Sequence, residues 1–174
     1  MKKNSKLYFV MLYPYIFLFV ALYTFFISKY LPDSVSRFII FFLPGAFGFI
    51  TFIVVVMNFI KTLKGETVAL DLARSNKLIK LVHIPFYILM FLLGCLGLVM
   101  SIWGIGLIIG AVVIDLFTIF FSGTVGMCAA IKSYKEAKLT KSEAFSYAVC
   151  SYIYCIDVFA AVIYCSKIKK ATQA

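Results

Sequence analysis

From Ile84 to Ile131 the chain carries a single charged residue, Asp115. As one helix this stretch would run about 72 Å at 1.5 Å per residue, more than twice the roughly 30 Å hydrocarbon core of a bilayer. It is too long to cross a membrane once and too apolar to rest in water. It must turn back, and WGIG at 103–106 supplies the turn residues. The stretch therefore reads as two spans, about 84–102 and 106–131.

Three further apolar runs, 7–28, 38–60 and 144–165, each meet the requirement of about 20 residues per helical span. Composition agrees. The 174-residue chain is 64% hydrophobic where a soluble domain has about 45–50%, and a globule of this size lacks the interior to hide the excess. The expected fold is an all-α polytopic membrane helix bundle in one domain, 1–174, with about five transmembrane helices. Four spans plus a non-spanning 144–165 is the alternative. MKKNSK ahead of the first run resembles the start of a signal peptide. The apolar stretch that follows is too long for a typical signal core and is followed by no small-x-small site, so a retained span is expected. Pro14 and Pro44-Gly45 mark expected kinks, and Pro85 the expected start of the third span.

The connectors carry the charge. The segment 61–83, KTLKGETVALDLARSNKLIKLVH, reads as a cytoplasmic connector able to form an amphipathic helix on the membrane surface. Thr140-x-x-Glu143 is a capping box that starts the last apolar helix. The net charge of +10 comes from basic residues at the ends of apolar runs, a pattern that fits membrane orientation and anionic headgroups better than nucleic acid. An excess of Lys and Arg on one side favours a cytoplasmic N-terminus. That orientation leaves Lys29, Arg37, Lys167, Lys169 and Lys170 outside, and the last three fit the rule badly.

Two acids break the apolar rule, Asp115 and Asp157. Counting 1.5 Å per residue puts Asp115 about 14 Å from one face and Asp157 about 20 Å from the other, so both lie near the middle of the bilayer. Small and polar residues recur at helical spacing around them: Ala111, Asp115, Thr118, Ser122, Gly126 and Ala129 on one run, and Ser146, Cys150, Tyr154, Asp157, Ala161 and Tyr164 on the other. Asp115 and Asp157 are thus a candidate intramembrane proton or cation site, with Thr118, Ser122 and Tyr154 in support. In that reading the two carboxylates share a proton. In the competing reading each acid is neutral or hydrogen-bonded and holds helices together. His83 is a candidate titrating residue at the membrane interface. Gly94, Gly97 and Ser101, and Gly106-x-x-x-Gly110, suggest close helix packing.

Catalytic signatures are absent: no Gly-x-Ser-x-Gly, no His-Glu-x-x-His, no P-loop, and one histidine in all. Ile-Asp stands at both aspartates and Gly-x-Gly-Asp is missing, which argues against an intramembrane aspartyl protease. Cys95, Cys128, Cys150, Cys155 and Cys165 lie in apolar runs without metal-ligand spacing. No enzyme activity, metal or cofactor is expected.

NKLIKLVHIPFYILMFLLG, followed by two Asp-bearing helices, resembles an uncharacterised family of small bacterial multi-span membrane proteins, over about 76–170. The resemblance implies a bacterial cytoplasmic membrane and nothing about chemistry. The expected partners are the lipid bilayer and another membrane protein or a second copy of the chain, with no nucleic acid. The expected role is a structural, accessory or interaction subunit. A small proton- or cation-coupled transporter using Asp115 and Asp157 is the alternative.

Overall fold

The structure, a computed structural model, describes residues 7–26, 30 and 32–173. The lysines of MKKNSK (Lys2, Lys3 and Lys6), part of the basic excess counted on the N-terminal side, and Lys29 lie outside the described residues. The described residues form six α-helices and no strand: α1 Tyr8–Phe26, α2 Asp33–Leu63, α3 Ala69–Val99, α4 Ile105–Lys135, α5 Lys141–Cys150 and α6 Ile156–Gln173, with a short 3-10 turn at Ser101–Gly104 between α3 and α4. Three of them, α2, α3 and α4, are each long and apolar enough to cross a membrane.

The turn expected at 103–106 lies at Met100–Gly104. There α3 and α4 approach so closely that a Cβ on Gly104 would stand 1.8 Å from the Gly97 carbonyl oxygen. Gly97 is thus used within the chain. Gly94, Gly106 and Gly110 meet no neighbouring atom within 4 Å, so the expected Gly106-x-x-x-Gly110 contact is not made inside this bundle.

Two expectations are corrected. The connector 61–83 and the third span are not separate elements. After a turn at 64–68, α3 runs without interruption from Ala69 through Pro85 to Val99. Proline in a helix removes one N–H and crowds the preceding turn. That leaves the Leu81 carbonyl without its helical donor. The next carbonyl, that of Val82, accepts the Tyr15 hydroxyl at 2.5 Å, which packs this turn against α1.

The last apolar run is also not one helix. It breaks at Ser151–Cys155, where Cys155 adopts φ 63°. After the break α6 returns antiparallel to α5. The rings of Tyr147 and Tyr164 stack with centroids 4.6 Å apart, and Glu143 at the start of α5 pairs with Lys167. The expected Thr140–Glu143 capping box is present and starts α5.

The return of α6 gathers the basic residues. The ends of α2 and α4, the starts of α3 and α5, and the last turns of α6 share one end of the bundle, here the basic end. Lys132 donates to the Gly65 carbonyl at 3.1 Å and Lys135 to that of Leu63 at 3.3 Å. A core of Leu72, Ala73, Cys128, Ala129, Tyr147 and Ile168 lies beneath them. Lys167, Lys169 and Lys170, which fitted badly as outside residues, stand on the same end as the other lysines.

Glu136 ties this end together. Its Oε1 accepts the Ala69 amide at 3.1 Å, capping α3 from the end of α4, and its other oxygen meets Lys138 at 2.6 Å. Burial alone raises its carboxyl. The hydrogen bonds from Lys138 and Ala69, with the charges of Lys138 and Lys132, outweigh that and hold it below the usual carboxylate range.

Both α2 and α4 end in the same 6→1 and 5→2 hydrogen-bond pattern. Glu66 donates to Lys61 and Gly65 to Thr62 after α2; Lys138 donates to Ser133 and Ala137 to Tyr134 after α4. The left-handed residue is glycine in the first case, at φ 82°, and alanine in the second, at φ 55°. A Cβ in that conformation costs about 1–2 kcal/mol. Ala137→Gly is therefore expected to stabilise the chain by about 1 kcal/mol, read as a higher unfolding midpoint in detergent. A lower midpoint would refute the strain.

Candidate functional site: a buried lysine–aspartate pair at a helix break

On α3 the buried side chains follow a helical stripe that contains Asn76, Lys80, His83 and Tyr87. These stand at i, i+4, i+7 and i+11, one face of a helix. The face turns into the bundle because Leu78, Leu81, Ile88 and Phe91 occupy the outer side. Lys80 lies eleven residues past the start of α3, about 17 Å along its axis. On α4 Ser122 lies about 20 Å from Lys135. The hairpin reaches the same level, since α5 has 10 residues, about 15 Å of helix.

Three elements and the hairpin tip converge there. Lys80 Nζ donates to Asp157 Oδ2 at 2.5 Å, to Ser122 Oγ at 2.7 Å and to the Ser151 carbonyl at 3.3 Å. All three ammonium protons are thereby used. Ser122 is oriented by donating its own proton to the Thr118 carbonyl at 2.7 Å. Asp157 Oδ2 also accepts the Tyr87 hydroxyl at 3.1 Å. Lys80, Ser122 and Asp157 are each 0% exposed.

Asp157 sits in the first turn of α6, where the free amides of a helix start favour negative charge. The helix break is what puts it there. In an unbroken helix that acid would have no helix start beside it. Two glycines on α4 make room for the tip. A Cβ on Gly126 would meet Ser151 Oγ at 2.3 Å, and one on Gly123 would meet the Tyr152 ring at 2.7 Å. The tip is pinned again by Tyr154, whose hydroxyl donates to the Tyr87 carbonyl at 2.9 Å, and by Tyr152, 3.2 Å from Thr124 Oγ1.

The other expected residues fall as follows. Asp157 pairs with Lys80, not with Asp115. Asp115 is half-buried on α4, seven residues from Ser122, about 10 Å further from the basic end. It lies within electrostatic reach of Tyr87 and Tyr154, and its Oδ1 is buried without a hydrogen-bond partner. Thr118 is buried with its hydroxyl on the Ile114 carbonyl at 2.8 Å. His83, expected at the interface, is instead fully buried, with Nε2 3.2 Å from the Val10 carbonyl and Nδ1 without a partner. The physical reason is the continuous α3, which carries residue 83 about 21 Å beyond the helix start.

Lys80 is the residue that sequence reasoning missed. Its signal was the spacing Asn76, Lys80, His83, Tyr87 among Leu78, Ile79, Leu81 and Val82, a polar stripe read as connector charge.

Chemically, the arrangement opposes one cation and one carboxylate inside the bundle, about 17 Å along α3 from its start, with one carboxylate oxygen, Asp157 Oδ1, buried and unpartnered. No group of three or more His, Cys, Asp or Glu that could hold a metal occurs among the described residues. No family model matches the chain, and no curated protein or solved structure matches it either.

Proposed function

We propose that the chain is a structural or accessory subunit of a bacterial cytoplasmic membrane. In this reading α1–α4 cross the bilayer, and α5–α6 enter from the basic end, taken as cytoplasmic, and return to it. This is the four-plus-one arrangement in place of five spans. The observation that carries the role is the geometry of Lys80. Its three protons go to α4, the hairpin tip and α6, which is how a static staple is built. The outer faces suit lipid or a partner helix. An apolar groove of about 600 Å³ between α1, α2 and α4 is lined by Tyr13, Pro44, Gly45, Phe49, Phe52 and Phe117.

A second reading, a proton- or cation-coupled transporter, has one specific observation in its favour. A helix break carries a buried carboxylate with an unpartnered oxygen into the bundle, and ion-coupled carriers use carboxylates at broken helices. Liposomes separate the two. Wild type and a Lys80→Met/Asp157→Leu variant are reconstituted, and proton and sodium flux are followed under an imposed gradient. The accessory role expects no flux above empty vesicles for either protein. Gradient-driven flux in wild type that disappears in the double variant would replace it with transport.

A further inference from the structure

The outer sides of α3 and α6 form a second apolar groove of about 330 Å³, lined by Ile84, Ile88, Phe91, Val158 and Phe159. It lies beside the hairpin tip, and its α3 side runs from Ile84 away from the basic end to Phe91. Along α3 the groove residues continue a single helical stripe: Phe91, Ile88, Ile84, Leu81, Lys77 and Arg74, at spacings of three and four. Along α6, Phe159, Val162, Ser166 and Lys169 do the same. Each stripe is apolar at mid-depth and cationic at its end.

The cations converge. Lys77, Arg74 and Lys169 all lie within electrostatic reach of the Cys165 sulfur. None of the three makes an ion pair among the described residues, whereas Lys80, Lys132, Lys138 and Lys167 each do. Lys77 stands two turns before Ile84, about 10 Å along α3. An apolar trough about 10 Å long on α3 thus lies about 10 Å from a cluster of unneutralised cations.

We infer that the α3–α6 face is a binding site for one anionic glycerophospholipid, with an acyl chain in the Ile84–Phe91 trough and its phosphate against Arg74, Lys77 and Lys169. A zwitterionic lipid fills the trough equally well but brings its own cation to the cluster. A partner helix would need acidic residues at its cytoplasmic end to do the same. Basic pockets between helices at the cytoplasmic side are the geometry by which such headgroups are held. The inference rests on the proposed reading in one respect, that this face is embedded in lipid.

The test places a reporter in the trough: Ile84→Trp in a Trp103→Phe background, in vesicles of dioleoyl phosphatidylglycerol or dioleoyl phosphatidylcholine carrying brominated acyl chains. Competition between the two lipids is read as tryptophan quenching. The site predicts about a fivefold or greater preference for the anionic lipid. Arg74→Gln/Lys77→Gln/Lys169→Gln should abolish that preference. Lys61→Gln/Lys64→Gln/Lys141→Gln, which removes equal charge at the same end, should keep it. Equal quenching by both lipids, or equal loss in both triple variants, overturns the site while leaving the membrane reading intact. Quenching by neither lipid overturns the lipid-exposed placement of the face, and the site with it.

Discussion

Replacing Lys80 with methionine while Asp157 remains is expected to cost about 3–5 kcal/mol of stability. The buried carboxylate then keeps only the Tyr87 hydroxyl, and the Ser151 carbonyl loses its donor. Asp157→Leu should cost a similar amount for the converse reason, since it leaves an uncompensated ammonium at 0% exposure. The double variant Lys80→Met/Asp157→Leu should recover most of the loss, because removing both charges also removes their desolvation cost. Unfolding of all four proteins in mixed micelles yields the coupling energy of the cycle. Additive losses, with the double variant worse than either single one, would show that the pair is not the unit holding the hairpin. Tyr87→Phe, which deletes one hydrogen bond and no charge, should cost about 1 kcal/mol.

The second large effect is expected where α3 meets α4. Gly104→Ala puts a Cβ 1.8 Å from the Gly97 carbonyl oxygen and 2.8 Å from the Gly97 Cα. Both are backbone atoms, so no side chain can rotate away and the helices must part. Overpacking of this kind costs about 1–3 kcal/mol and occasionally more, and the upper part of that range is expected. Gly106→Ala, two residues on, is the control. Nothing lies within 4 Å of its Cβ position, and alanine gains about 1 kcal/mol over glycine inside a helix. Opposite signs at two glycines in one turn, read from unfolding midpoints, would support the close approach. Equal effects would contradict it.

Much of the helical framework was legible because it follows from apolar run length alone. The run 38–60 sits inside α2, and the turn after Met100 and the Thr140 cap fall where their local chemistry puts them. The stripe on α4 was legible too. Ala111, Thr118, Ser122, Gly126 and Ala129 are buried, with Asp115 at its margin. The hairpin was not legible. No proline or glycine marks 151–155, and the break is held by tertiary contacts: Tyr154 on Tyr87, and Ser151 against Gly126. The expected stripe from Ser146 to Tyr164 therefore crosses two helices, and Ser146 is exposed while Asp157 is buried. Lys80 was obscured by its charge. A lysine beside Arg74 and Lys77 reads as surface until its partner is known, and that partner lies 77 residues away.

That separation also sets an order of events during synthesis. At about 5–20 residues per second, Lys80 leaves the ribosome roughly 4–15 s before the carboxylate that neutralises it. Throughout that interval α3 carries an unmatched ammonium, whose long stem allows it to reach back toward the headgroups. A chain halted before residue 157 would hold Lys80 without the carboxylate that neutralises it in the finished fold.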